Sequence, residues 1–188
     1  MRLSQTSRRW LRAGLAMLAS VLLGLGQLAL AQSALPREAQ IKAVLITRLV
    51  KFVEWPGYSR ANAEPLQICT WGESSTSISL QALQGQIVRE REIRVRKLTP
   101  QAAGQDTRGC HVLYVAESIR DITPVLLYSS GSRALLTVSD MPEFNKRGGI
   151  ISLVRQDNRI GFEIHLRYAR ESGLQIGAPL LELARVVD

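Results

Sequence analysis

Beyond residue 31, apolar and polar positions alternate between helix-like and strand-like spacing. Between Glu38 and Val53 the apolar residues Ile41, Val44, Leu45, Leu49, Phe52 and Val53 recur at helical intervals. Lys42, Arg48 and Lys51 are left for solvent. The spacing predicts a helix that Pro56 stops, because the residue before a proline is pushed out of the α region. Phe52 and Trp55 are expected to close this helix onto a sheet. A polar loop follows from Tyr58 to Pro65, then Leu66–Trp71 reads as a short strand and Ser74–Leu83 as a short helix. Ile93–Leu98 alternates apolar and charged residues, a pattern suited to a sheet edge, where charge deters pairing with other chains.

His111–Ala116 and Ala134–Val138 are nearly continuous apolar runs. Strands buried on both faces of a parallel sheet have this composition. Ser118–Tyr128 reads as a helix between them. Asp140-Met141-Pro142-Glu143 has the order of a helix cap, an early proline and a first-turn acid. Ile150–Val154 and Arg159–Ile164 flank the turn-rich Arg155-Gln156-Asp157-Asn158, which predicts a hairpin. In its second strand Ile160, Phe162 and Ile164 alternate with Gly161, Glu163 and His165, so one face is expected to be wet. Helices are expected near Arg167–Glu171 and over Ala178–Val187. The sum is one α/β domain: a mixed, mostly parallel sheet flanked by helices, with a C-terminal antiparallel hairpin.

The first 31 residues look different. Arg8, Arg9 and Arg12 precede an interrupted apolar run that ends in Ala29-Leu30-Ala31. A basic start, an apolar middle and small residues at the cleavage positions predict a signal peptide over 1–31 and a domain over 32–188. Removing it takes four arginines and no acid, so the formal charge falls from +8 to +4. That is a mild balance, which argues against nucleic acid as a partner. Export also changes the reading of Cys69 and Cys110. An even count in an oxidising compartment points to a bridge; two buried free thiols are the alternative.

Candidate chemistry is sparse. The sequence has no glycine-rich phosphate loop after a strand, no G-x-S-x-G, no CxxC and no HExxH, so neither a cofactor nor a metal is expected. Cys110 and His111 are neighbours on a strand and point to opposite faces. The carboxyl ends of the strands carry Glu73-Ser74, Glu117-Ser118 and Ser139-Asp140, where α/β sheets bind ligands. Helix capping by Ser118, Ser139 or Asp140 is the simpler account. Glu163 and His165, two apart on the expected wet face, are a candidate acid–base pair without an evident nucleophile. No catalytic residue is assigned.

The segments "KFVEWP", "LQICTWG", "GCHVLYVAES", "LLTVSDMPEF", "GGIISLV", "IGFEIHL" and "LLELARVV" occur in an order that resembles the YfiR-like family. The resemblance covers roughly Arg37 to Val187 and implies a small exported α/β regulator of Gram-negative bacteria rather than an enzyme. It implies a periplasmic protein that binds the periplasmic part of a membrane diguanylate cyclase and represses it, with consequences for cyclic-di-GMP and biofilm. It also implies an outer-membrane, peptidoglycan-binding lipoprotein as a second partner, and is compatible with a homodimer. Cys69 and Cys110 match the pair placed in "ICTWG" and "GCH". A periplasmic small-ligand sensor using the carboxyl-end crevice is the alternative. For the partner surface, the C-terminal stretch offers Leu166, Ala169, Ile176 and Pro179 as a shallow apolar pocket, with Glu163, Arg167 and Arg170 as its polar rim. The same apolar residues are equally suited to the core.

Overall fold

Pro36 introduces the first helix, α1 (Arg37–Leu49), in the computed structural model, which describes residues 35–57, 64–99, 107–119, 134–157 and 159–188. The expected signal peptide lies outside the described residues, as does the helix expected over Ser118–Tyr128 beyond Ile119. Helix α1 buries Ala39, Ala43, Ile46 and Leu49. This is not the stripe that the bulky residues suggest: Ile41 is 54% exposed and Val44 41% exposed. Helix-to-neighbour distance depends on the side chains at the contact, and alanines permit a close approach. The face carrying Ala39, Ala43, Ile46 and Leu49 therefore meets the core, and Ile41 and Val44 face outward.

The helix also stops earlier than Pro56 requires. Val50–Phe52 tighten into a 3-10 turn. Val53–Glu54 then form strand β1, antiparallel to β9 (Gln175–Ile176), with Val53 opposite Ile176. Long-range pairing thus claims residues that local periodicity assigns to the helix. Trp55 packs against the core while Phe52 stays more than one-third exposed.

The main sheet contains β2 (Leu66–Trp71), β3 (Ile87–Val88), β4 (Arg91–Leu98), β5 (Val112–Val115), β6 (Leu136–Ser139), β7 (Ile151–Gln156), β8 (Arg159–His165) and β10 (Arg185–Val187). Their order is β10-β8-β7-β6-β5-β2-β4-β3. Only β3–β4 and β7–β8 are antiparallel within it; the other pairs are parallel. The expected α/β class, mostly parallel sheet and C-terminal hairpin are therefore present. The charged strand β4 is not quite the edge: β3 returns on it through Arg89 and Glu90, both at positive φ, the geometry of a two-residue hairpin turn. Helix α2 (Ser75–Gln81) opens on Ser74, whose hydroxyl accepts the Ser77 N–H in a capping box.

The C-terminus differs from expectation. Helices α3 (Leu166–Glu171) and α4 (Ala178–Leu181) are short, and the last residues are the strand β10 rather than helix. Arg185 to Val187 pair in parallel with Glu163 to His165. The segment from α3 to α4 is the crossover that a parallel pair demands.

Two apolar clusters lie on opposite faces of the sheet. Leu66, Ile68, Val112, Tyr114, Leu136 and Val138 face the α1 side. Cys69, Trp71, Leu113, Val115, Met141 and Phe144 face the other. Gly149 marks the tightest point of the second cluster. A Cβ placed there would lie 2.1 Å from the ring of Phe144, which is fully buried. Gly149→Ala should therefore cost about 1–3 kcal/mol or more through forced displacement of that ring. Urea unfolding measures it, and a variant as stable as the parent would show that the ring moves freely.

Candidate functional site

The parallel strands converge at their carboxyl ends on Asp140, just past β6. Tyr114, on β5, donates its hydroxyl to Asp140 Oδ1 at 2.7 Å. Lys42, from α1, donates to Oδ2 at 2.8 Å. Thr76 Oγ1 lies at 3.4 Å from Oδ2, and the Tyr114 hydroxyl also meets Ser74 Oγ at 3.1 Å. Lys42 continues the chain to Glu38 at 2.9 Å, and Glu38 to Arg155 at 3.1 Å. Burial, then the adjacent Asp140 charge, raises the Tyr114 pKa, so the phenol stays a donor. Burial alone would lower the Lys42 pKa, but its bonds to Asp140 and Glu38 outweigh that and raise it. Asp140 is thus the hub of a non-local polar network and not the helix cap that its sequence context suggests. The short 3-10 turn Phe144–Arg147 begins after Glu143, and Ser139 Oγ accepts the Met141 N–H.

Strand order reverses around β2, which has β4 on one side and β5 on the other. The connections leaving β2 and β5 lead to opposite sides of the sheet order at such a point, which leaves a crevice beyond the strands' carboxyl ends. A hollow of about 660 Å³ opens there, lined by Glu73, Ser74, Glu117, Ser118 and Arg147 among others. A larger cavity, about 770 Å³, lies between the Asp140 segment and the C-terminal strands. Asn145, Ser152, Glu163, His165, Arg167 and Arg185 are in its wall.

Glu163 and His165 both reach that larger cavity, but each is already engaged. Glu163 pairs with Arg185 on β10. His165 is only 5% exposed, so the expected wet face is not wet at this end. Its ring stacks on Tyr168 at 3.5 Å between centroids, and its Nδ1 accepts the Tyr168 N–H at 3.4 Å as the cap of α3. The cavity's serine, Ser152, donates to Asn145 Oδ1 at 2.5 Å. This arrangement positions side chains for structure.

The C-terminal residues expected at a partner surface differ in their exposure. Ala169 is fully buried in the core and offers no contact surface. Ile176 is half-buried, held by its pairing with Val53. Leu166 is half-buried, whereas Pro179, Arg167 and Arg170 are exposed. Glu163 and Arg167 line the large cavity; Leu166, Ile176 and Pro179 do not.

Cys69 and Cys110 form a disulfide, with Cα atoms 5.8 Å apart. Arg96 Nη2 lies 3.3 Å from Cys110 Sγ and 3.7 Å from Cys69 Sγ. His111 points away from Cys110, with its ring edge-on to Trp55 at 6.2 Å. The neighbours therefore occupy opposite faces, as strand geometry dictates.

Burial, reinforced by Arg167, lowers the His165 pKa; Asp188 and Glu171 oppose this more weakly. The folded state therefore favours the neutral ring over the charged one. The unfolded state takes up a proton as pH falls through the ordinary imidazole value of about 6.5. Stability from this residue is present above that value and is lost below it. Melting temperature should fall on acidification from about pH 7.5 to 5, and fall less in His165→Asn, which keeps a capping oxygen. Identical pH dependence in the two proteins would refute this assignment.

A family model described as YfiR/HmsC-like matches residues 39–185. No curated protein matches the chain. Among solved structures, a conserved domain protein from Vibrio cholerae O1 biovar eltor superposes with a TM-score of 0.53 at 12% identity. The match covers 80% of this chain and 60% of that one, and at this identity it speaks for the fold alone. Among the described residues no helix is long and apolar enough to cross a membrane.

Proposed function

The chain belongs to the YfiR/HmsC-like family, and on that footing we propose that it is an exported, non-enzymatic regulator that acts by binding protein. Its target in this reading is the periplasmic domain of an inner-membrane diguanylate cyclase, which it holds inactive. An outer-membrane, peptidoglycan-binding lipoprotein would compete for it and release the cyclase. The observation that carries the reading is the extent of the family match, residues 39–185. The disulfide suits an oxidising compartment. The separate engagement of Glu163 and His165 suits a protein without a catalytic pair.

Deletion of the gene is expected to raise cyclic-di-GMP and biofilm, and complementation to restore both. Unchanged cyclic-di-GMP in the deletion strain would sink the regulator reading.

One observation favours the small-ligand sensor as a second reading. The 770 Å³ cavity has the size of a ligand site and mixes arginines with acids and apolar walls. Native mass spectrometry of protein purified from the periplasm separates the readings, since a sensor would carry or accept a small molecule.

A further inference from the structure

The outward face of α1 is bounded by the β7–β8 hairpin. Between them runs a groove of about 570 Å³ whose floor is Ile41, Val44, Leu45 and Ile160. Ile41 and Ile160 also line an adjoining hollow of about 380 Å³ under Arg155 and Arg159. The apolar floor follows from the packing already described. The core takes the side of α1 that carries Ala39, Ala43, Ile46 and Leu49, and Ile41 and Val44 are left exposed.

The rim is one-sided in charge. Arg37 and Arg48 stand at the two ends of α1, and Arg155 and Arg159 on the hairpin. The acid beside them, Glu38, is already bonded to Lys42 and Arg155. Among the described residues, Arg37, Arg48 and Arg159 have no carboxylate partner. A second copy of this face would bring arginines against arginines, which like-charge repulsion disfavours. Arg37 and Arg48 are about 16 Å apart along the helix, the length of three helical turns.

We propose that the α1–hairpin groove docks an acidic segment of a partner protein, with aliphatic side chains seated on Ile41, Val44 and Ile160 and carboxylates at the flanking arginines. The proposal rests on the regulator reading and adds to it where the partner binds and what chemistry it presents. The groove uses the beginning of β8, Arg159 and Ile160, and not its end.

The test uses the full exported protein and a labelled peptide about three helical turns long, with leucines at i and i+4 and glutamates at both ends. A twin peptide carries lysines in place of the glutamates. Fluorescence anisotropy should show binding of the acidic peptide only, weakened by salt. Val44→Asp and the double variant Arg37→Glu/Arg48→Glu should each weaken it about tenfold or more. Leu183→Asp, at a site 75% exposed and outside the groove, should not. Because Val44 and both arginines are exposed, unchanged melting is expected and checks the fold.

Equal binding of the twins, binding of neither, or full binding by folded Val44→Asp overturns the proposal. So does Val44-dependent binding to phosphatidylglycerol vesicles without peptide binding, which would make the groove a lipid site. A dimer in sedimentation that Val44→Asp dissociates would make it a self-interface, and also overturns it. The two readings fail separately. A deletion strain with unchanged cyclic-di-GMP sinks the regulator and leaves the peptide result standing. A Val44→Asp allele that represses like the parent, while deletion derepresses, sinks the groove alone.

Discussion

Asp140→Ala should destabilise the domain by about 3 kcal/mol, the lower end of what removing one partner of a buried ion pair costs, because the Lys42–Asp140 pair is part-buried. The upper end is not reached because Glu38 still faces Lys42 at 2.9 Å. Tyr114 fares worse. Its hydroxyl loses its 2.7 Å acceptor and keeps Ser74 at 3.1 Å, in a side chain that is fully buried. Two variants separate this account from simple helix capping. Asp140→Ser would preserve a cap at little cost, since serine is among the best capping residues. As a hub, however, Asp140 needs a carboxylate long enough to span Lys42 and Tyr114, so serine should cost nearly as much as alanine. Asp140→Asn can still accept from Tyr114 and should fall between. Chemical denaturation of the three variants decides it, and a near-neutral Asp140→Ser would restore the capping account.

The hub was not legible in the sequence for a definite reason. Asp140-Met141-Pro142-Glu143 carries every local mark of a helix start, and local marks are what a single sequence displays. Lys42 lies 98 residues away and Thr76 64 away. Nothing in either neighbourhood points to the other. The same limit explains the two element ends that differ. Val53–Glu54 and Arg185–Val187 have apolar residues compatible with helix, yet each is captured as strand by a distant partner. Where burial is two-sided, distance does not matter. The runs in β5 and β6 are apolar throughout because both faces are covered, and they are found as parallel neighbours. The hairpin likewise declares itself through its turn residues and period-two pattern.

The α1 stripe was legible in part: Leu49 and Val53 are buried as its spacing suggests, whereas Ile41 and Val44 are exposed. Ile41, Val44 and Leu45 have helical spacing, and the segment is helical. Hydrophobic size, however, does not say which face meets the sheet. Ala39 and Ala43 contribute little to an apolar pattern, yet they occupy the interface. That difference is informative, because bulky residues excluded from the core remain as exposed apolar surface, which is the floor of the proposed groove.

Removing the Cys69–Cys110 bridge should cost about 4 kcal/mol in the chain-entropy account, which for a domain of this size is roughly 8–16 °C in melting temperature. The bridge spans 41 residues, and the loop it closes leaves a less constrained unfolded chain when cut. It also ties β2 to the residues just before β5, the two strands on either side of the point where the sheet reverses direction. Cutting it therefore loosens the junction on which the carboxyl-end crevice is built. The double variant Cys69→Ala/Cys110→Ala isolates the cross-link from a stray thiol. Both positions are essentially buried, so some loss comes from missing sulfur contacts as well. Arg96 would then lose both sulfur neighbours but keep the Arg108 carbonyl at 2.9 Å, which avoids stranding its charge. Comparing each single variant with the double separates these contributions, since either single already breaks the bridge. Singles and double should be nearly equally destabilised. A double variant that melts within about one degree of the parent would mean that the unfolded chain gains little from the cut, against the entropic account.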